Sequence, residues 1–135
     1  MFAEIKKKID HTKFNYIYTL SLSDNSKVSN VYESYKAAKN SLKAGRAYAK
    51  LNPGKTQYLY VGSSQNLVPR IKQHLGFGPK STYAIHLCHW CEDLSLDIIL
   101  NVFMFNNKTD KKILQAFEDV IWESLKPMFG RQGKK

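Results

Sequence analysis

The stretch Thr56–Leu75 changes its apolar period from two to about four, and this change limits what the chain can fold into. In its first part, aromatic residues alternate with aliphatic ones, a pattern that predicts a β-strand over Thr56–Gly62. After a predicted turn at Gly62-Ser63-Ser64, apolar residues recur at helical spacing. Pro69 fits the first turn of this helix if Asn66 is the N-cap, because its missing N–H is not needed there. The stretch therefore predicts a strand, a turn and a helix in succession.

Two tyrosine motifs and one acidic helix contain the residues that could take part in catalysis. The first motif is Tyr16-Ile17-Tyr18, and the second is Tyr60-Val61-Gly62-Ser63-Ser64. Four further residues follow the second motif at fixed spacing: Asn66, Leu67, Arg70 and His74. The acidic helix surrounds Glu118 and ends at Lys126-Pro127. Together these residues resemble the signature of the GIY-YIG nuclease family.

The resemblance implies a fold, an activity and a set of site residues. The fold would be a small α+β domain, a three-stranded and mainly antiparallel sheet flanked by helices. In that family the two signature strands usually follow each other closely, whereas here the helical pattern predicts an insertion at about 27–52 between the first two strands. The activity would be divalent-metal-dependent hydrolysis of DNA phosphodiester bonds, with one Mg²⁺ or Mn²⁺ as cofactor. In that family the tyrosine of the first motif usually acts as the base, the second tyrosine, the arginine and the histidine line the site, and the glutamate binds the metal. In that order, these roles carry over to Tyr18, Tyr60, Arg70, His74 and Glu118.

This sequence departs from the family pattern at two positions. Tyr16 stands where the family usually has glycine in the first motif. Gly130 stands where the family usually has asparagine, three residues after Pro127. Neither departure removes a proton-transfer group or a metal ligand, but both place this chain among divergent members of the family it resembles.

The charge of the chain indicates the class of its partner. A chain of 135 residues is long enough for one domain, 1–135. Its formal net charge of +10 and pI near 9.6 favour a polyanionic partner, either nucleic acid or an acidic membrane surface. The resemblance implies DNA, bound by a monomer or a homodimer. No segment has the length and hydrophobicity of a membrane span, and the chain lacks an aromatic-rich amphipathic helix, so no membrane partner is expected. The basic lead-in at residues 1–12 has no apolar run after its lysines, so we predict no signal peptide and a cytoplasmic location.

The region between Lys27 and Lys50 has a helical period and a row of basic residues. Its apolar stripe begins at Val28 and repeats three and four residues apart. A basic ridge runs beside the stripe at Lys36, Lys39, Lys43, Arg46 and Lys50. Four of these and two further cations are predicted to contact DNA: Lys36, Lys39, Lys43, Arg46, Lys72 and Arg131. The alternative is that the ridge is a solvated lysine face.

Two cysteines lie close together in His86-Leu87-Cys88-His89-Trp90-Cys91. Structural zinc sites usually draw their ligand pairs from separated segments, so four ligands in six consecutive residues fit poorly around one ion. We predict reduced thiols here, on a short helix that begins after Ser81 and ends at about Trp90.

Two more strands and one more helix complete the predicted fold. Lys13–Leu22 alternates and predicts a half-buried strand, whereas the apolar run Ser95–Phe105 predicts a central strand. Thr109 is the predicted N-cap of a helix that ends at Lys126. The predicted core stripe of this helix is Ile113, Leu114, Phe117, Val120 and Ile121. Glu118 lies within that stripe and needs a partner, either a salt bridge to Arg70 or a metal ion.

These groups suit the hydrolysis of a phosphodiester. Glu118 can hold Mg²⁺ or Mn²⁺, and Arg70 can donate to two phosphate oxygens at once. A tyrosinate or a neutral histidine can take the proton of the attacking water, and the sequence leaves Tyr18, Tyr60 and His74 as candidates. The alternative function is a non-catalytic, basic nucleic-acid-binding module on the same fold.

Overall fold

A computed structural model describes residues 14–91 and 94–133, so the predicted lead-in at residues 1–12 lies outside the described residues. The chain forms three strands and three helices in this order: β1 Asn15–Leu22, α1 Val28–Ser41, β2 Tyr58–Ser64, α2 Leu67–Leu75, β3 Ile98–Phe105 and α3 Lys111–Leu125. Two short 3₁₀ turns lie at Lys43–Gly45 and Leu87–His89. The α+β class, the antiparallel three-stranded sheet and the helix between the first two strands are confirmed.

The sheet has the order β2-β1-β3, with β1 antiparallel to both neighbours. Tyr18 lies opposite Gly62 of β2 and Val102 of β3. Residues 16–22 of β1 are buried on both faces, because Thr19 and Ser21 are nearly as inaccessible as Leu20, which lies between them and faces the other side of the sheet. The predictions of a half-buried first strand and a central third strand are therefore wrong. The strand with small polar residues is central, and the apolar strand β3 is at the edge.

The main core is built around Tyr35 of α1. Its ring stacks on Phe129 with 3.8 Å between centroids and meets the edge of Trp90 at 5.3 Å. Its hydroxyl donates to the Ala49 carbonyl at 2.6 Å. Because this buried polar group has a strong acceptor, the core gains the large apolar area of the ring without an unsatisfied hydroxyl.

Helix α1 ends earlier than its sequence pattern predicts. The predicted stripe is buried as far as Ala38, but Leu42 adopts a left-handed conformation with φ of 49° and terminates the helix. The chain then passes through the 3₁₀ turn and continues without helical structure to Lys50. The prediction of one helix from Lys27 to Lys50 is wrong, and its basic residues do not form a single helical ridge.

The strand and helix of the central stretch are confirmed, with one shift at their junction. Strand β2 continues through Ser64, so Gly62-Ser63-Ser64 belongs to the strand and is not a turn. The turn follows it, where the Asn66 N–H donates to Ser64 Oγ at 2.9 Å. Asn66 is the N-cap of α2 as predicted, although its side chain makes no capping hydrogen bond. Pro69 then falls within the first turn.

Helix α3 presents an unexpected face to the sheet. It begins after Asp110, whose carboxylate accepts from the Lys112 N–H at 2.7 Å, so the predicted cap at Thr109 is wrong by one residue. Ile113 is 60% exposed and Val120 is 63% exposed, whereas Glu118 is only 5% exposed. The predicted apolar core stripe is therefore wrong, since the most buried side chain of the helix is the carboxylate.

The predicted helix from Ser81 to about Trp90 is also wrong, because His86 has φ of 47° and only the 3₁₀ turn after it is helical. Cys88 is exposed and Cys91 is half-buried, and they are not joined. Within residues 14–91 and 94–133, no helix has the length and apolar character that a bilayer span requires.

Candidate active site

A cleft of about 990 Å³ lies beside strands β1 and β2. Four of the predicted catalytic residues line it, and each comes from a different element: Tyr18 from β1, Tyr60 from β2, Arg70 from α2 and Glu118 from α3. The fifth, His74, is fully buried behind Tyr18 and does not line the cleft. Residues far apart in the sequence therefore meet at one concave surface.

The two tyrosine rings are nearly parallel. The ring centroids of Tyr18 and Tyr60 are 6.0 Å apart with an interplanar angle of 12°. Gly62 makes this arrangement possible, because a Cβ at that position would lie 2.7 Å from the Tyr18 hydroxyl oxygen. The glycine of the second motif thus provides the space for the hydroxyl of the first motif.

His74 holds Tyr18 from behind. Its Nε2 lies 2.9 Å from the Tyr18 hydroxyl oxygen, and the Ile85 N–H donates to its Nδ1 at 3.4 Å. Burial, reinforced by the nearby positive charge of Arg70 and by His86, lowers the pKa of His74 well below its usual value. A neutral imidazole that accepts at Nδ1 carries its proton on Nε2 and donates it to the tyrosine.

Arg70 is held in place by three hydrogen bonds. Its Nη2 donates to the Tyr60 hydroxyl at 3.0 Å and to the Tyr83 carbonyl at 3.2 Å, and its Nη1 donates to Gln73 Oε1 at 2.7 Å. Burial raises the pKa of Tyr18 far above its usual value, Tyr60 adds to this rise, and Arg70 opposes it. Tyr18 is therefore a neutral phenol at neutral pH, close to a fixed cation.

Glu118 lies between the cleft and the C-terminal segment. A Cβ at Gly133 would lie 2.9 Å from Glu118 Oε2, so this glycine packs directly against the carboxylate. On its other side Glu118 borders a smaller cavity of about 230 Å³ between α3 and the sheet, where Ser63 and Gln115 also lie. Glu118 thus packs against Gly133 and borders both the small cavity and the cleft.

The donor set around Glu118 fits an ion held by few protein ligands. No group of three or more His, Cys, Asp or Glu side chains suited to a metal occurs among the described residues, so an all-protein cage is not formed there. Mg²⁺ commonly binds through one or two carboxylates, several waters and the phosphate of a substrate. One carboxylate at the wall of an open cleft matches that mode, and Glu118 is the residue that would hold the ion.

Besides Arg70, three cationic side chains line the cleft: Lys39, Lys50 and Arg131. Lys39 and Arg131 were among the predicted DNA contacts, whereas Lys50 was not, although it continues the same basic spacing. Arg46 donates to the Gly78 carbonyl at 2.9 Å and therefore has a structural partner. The remaining predicted contacts, Lys36, Lys43 and Lys72, are exposed and do not line the cleft.

The two departures from the family pattern have physical reasons in this fold. Tyr16 is buried and packs against Phe14, with ring centroids 6.3 Å apart, so it fills space in a small second core. Gly130 has φ of 93°, and a Cβ there would lie 2.5 Å from Cε2 of Tyr60. A larger residue at Gly130 would have to displace the Tyr60 ring.

Sequence reasoning missed Tyr83, which lines the cleft and is 69% exposed. An exposed aromatic ring beside cations suits stacking on a nucleobase. No spacing signal marks this residue, because it lies in an irregular segment between α2 and β3.

Comparisons with protein-family models, with curated proteins and with solved structures found no match to this chain. The resemblance to GIY-YIG nucleases therefore depends on the motif residues themselves and stays a prediction.

Proposed function

We propose that this protein is a divalent-metal-dependent endonuclease that hydrolyses DNA phosphodiester bonds. The observation that supports this most is the convergence of Tyr18, Tyr60, Arg70 and Glu118 on one cleft. Such a set contains a proton acceptor, a fixed cation and a carboxylate, which are the groups that phosphodiester hydrolysis requires.

Binding of the substrate would depend on the cations of the cleft. Lys39, Lys50 and Arg131 stand at its wall in a chain whose formal net charge is +10. A charge of this sign draws the DNA backbone to the protein, and direct phosphate contacts then fix its position. The exposed ring of Tyr83 would stack on a base at the same surface.

Arg70 would stabilise the charge that develops on the phosphate. Its hydrogen bonds to Tyr60, Gln73 and Tyr83 orient the guanidinium before the substrate arrives. A preoriented donor costs no reorganisation when the pentacoordinate phosphorus forms, so its contribution is realised in the transition state.

Tyr18 is the proposed proton acceptor. Tyr18 would first release its hydroxyl proton to water in the cleft. The phenolate would then take a proton from the attacking water while the water oxygen bonds to phosphorus and the bond to one ester oxygen breaks, and that ester oxygen leaves with the bonding electron pair. The His74 Nε2–H behind it stabilises the phenolate by donating to its oxygen, and Arg70 acts in the same direction. Tyr60 shares the cleft and also accepts from Arg70, so it remains the second candidate for this role.

Glu118 would hold the divalent ion together with oxygens of water and of the DNA phosphate. A divalent ion bound there supplies Lewis-acid stabilisation of the charge on the phosphate and on the leaving oxygen.

A non-catalytic nucleic-acid-binding module is the alternative, and two observations favour it. Burial keeps the Tyr18 phenol protonated, which opposes its use as a base. Gly133 packs against the Glu118 carboxylate, which narrows the space for an ion. Such a module would bind DNA through the same cations without cutting it.

The Glu118→Gln variant separates the two functions. The protein should be incubated with plasmid DNA and Mg²⁺ or Mn²⁺, with a chelator as the metal control. The variant keeps the shape of the side chain, so we expect DNA binding to persist while cleavage falls by at least about 100-fold. Glu33→Gln is the matched control, since Glu33 is an exposed glutamate whose ion pair with Lys55 lies on the surface.

Each outcome of this experiment supports a different function. A folded Glu118→Gln protein that binds but does not cut supports the nuclease, provided that Glu33→Gln cuts normally. Wild-type protein that binds DNA and never cuts it, with either metal, supports the binding module. Wild-type cleavage by a folded Glu118→Gln variant would remove Glu118 from the mechanism.

A further inference from the structure

Strand β3 lies at one edge of the sheet, and its outer side has no strand partner among residues 14–91 and 94–133. Its apolar side chains are accessible on both faces of the sheet, with exposures of 38% to 56%: Ile99, Leu100, Val102, Phe103 and Met104. An edge of this kind presents backbone N–H and C=O groups that another strand can pair with.

Proteins usually protect such an edge with lysine, proline or a bulge. Residues 98–105 contain no charged residue and no proline. The pairing of β3 with β1 is also regular along its whole length, without a bulge. The strand therefore lacks the features that prevent edge-to-edge association.

Helix α3 extends the apolar surface beside this edge. Phe117 packs against Phe103 and Phe105, with ring centroids 5.8 and 5.1 Å apart. Ile113 and Val120 lie four and three residues away from Phe117, so they share its side of the helix and are also exposed. If a full side chain offers on the order of 200 Å², the five exposed residues of β3 and the three of α3 together expose about 800 Å². They lie on both faces of the strand and on the helix, so strand pairing would bury part of this area, which gives an interface at the small end of the usual range.

We propose that this surface, the outer edge of β3 with the Ile113, Phe117 and Val120 side of α3, binds a second copy of the same chain. The two β3 strands would pair antiparallel about a twofold axis and join the two sheets into one of six strands. The same patch then faces itself, as a twofold interface requires.

The charges at the two ends of β3 suit a second copy as the occupant. The net charge of +10 opposes the approach of two chains over most of their surface, whereas residues 98–105 carry no charge. Asp97 and Lys108 are exposed and stand just beyond the two ends of the strand. When the axis passes through the middle of the strand, at Val102 or Phe103, the Asp97 end of each strand lies next to Lys108 of the partner subunit. The two strands are then complementary in charge at both ends.

Sedimentation of the full chain tests the proposal. We expect wild-type protein to have twice the 15.6 kDa chain mass at micromolar concentration. Met104→Lys places a charge on the edge and should weaken the dimer by at least about tenfold. Phe77→Lys is the matched control, because Phe77 is 71% exposed and lies outside the patch. It should leave the dimer unchanged.

Circular dichroism would show whether Met104→Lys folds. If it does not, a second test exchanges the charges at the two ends of the strand. Asp97→Lys and Lys108→Asp should each weaken the dimer several-fold, and the double variant should restore it. Wild-type protein that stays at 15.6 kDa up to about 100 μM would overturn the proposal. So would a monomer that dimerises only after removal of residues 1–13, since that segment would then be the occupant.

Discussion

The Tyr18 hydroxyl oxygen and the His74 Nε2 are 2.9 Å apart, and both side chains are buried. Because the Ile85 N–H points at Nδ1, the imidazole is the donor in this pair and the tyrosine is the acceptor. The proton of the Tyr18 hydroxyl therefore remains available for donation toward the cleft. The pair links the α2 helix to the central strand at the point where the proposed chemistry takes place.

Removal of the Tyr18 hydroxyl should lower stability as well as activity. Tyr18→Phe leaves the buried Nε2–H of His74 without its acceptor, which typically costs about 1–3 kcal/mol. Urea denaturation measures this loss, and cleavage of plasmid DNA should be lost in the same variant. Tyr83→Phe is the control, because its exposed hydroxyl is solvated and its removal should change stability by less than about 0.5 kcal/mol. An equally stable Tyr18→Phe protein would contradict the hydrogen bond.

Stability should fall as the pH drops below about 6.5. Burial lowers the pKa of His74 well below its usual value and also lowers the pKa of His86. In this range the unfolded chain binds protons that the folded chain does not, so the free energy of unfolding decreases toward acid. The slope can approach about 1.4 kcal/mol per pH unit for each histidine.

Denaturation curves between pH 7.5 and about 5, above the range of most carboxylates, measure this slope. His74→Gln removes one of the two groups, so its slope should be about half that of the wild type. An unchanged slope in this variant would show that His74 is not protonated on unfolding.

Local signals in the sequence predicted local structure well. The change of period across Thr56–Leu75 located β2 and α2, and Asn66 with Pro69 located the start of the helix. The end of α1 was missed because Leu42 takes the left-handed conformation without the glycine that usually signals it.

Long-range packing could not be predicted in the same way. An apolar run such as Ile98–Phe105 indicates burial, but the position of a strand in a sheet is decided by its partners. The predicted core stripe of α3 was wrong for a related reason. The sequence does not show which side of the helix faces the sheet, and in the structure Glu118 is buried whereas Ile113 and Val120 are exposed. If a second copy covers that surface, the apolar pattern is buried after all, in the dimer.

The motif residues predicted much of the cleft, since four of the five proposed catalytic residues line it. Lys50, Tyr83 and the segment 130–133 reach the cleft through irregular chain, whose path depends on tertiary contacts such as the Gly130 N–H bond to the Lys50 carbonyl at 2.7 Å. The basic spacing marks Lys50 as a cation but not as a residue of the cleft, and no periodicity marks Tyr83 or residues 130–133.

Gly130→Ala should destabilise the protein more than Gly54→Ala does. Both glycines have φ close to 90°, so an alanine at either position costs roughly 1–2 kcal/mol in backbone strain. At Gly54 the added Cβ meets open space, whereas at Gly130 it would lie 2.5 Å from the Tyr60 ring. The collision should add about 1–3 kcal/mol. Equal losses in urea denaturation would show that Tyr60 moves aside without cost.

The salt dependence of DNA binding should identify which cations contact phosphate. Lys50 lines the cleft, whereas Lys36 of the same basic region is exposed on α1 and does not. Each phosphate contact on a duplex contributes a slope of about −0.9 in a plot of log K against log salt. Lys50→Ala should therefore flatten the slope by about 0.9, and Lys36→Ala should leave it unchanged. Both variants lose one positive charge, so a difference between them reports the position of the charge and not its number.

Binding should be measured by fluorescence anisotropy with a labelled duplex and a chelator present, which prevents cleavage. A flatter slope for Lys36→Ala alone would move the DNA path from the cleft to the α1 surface.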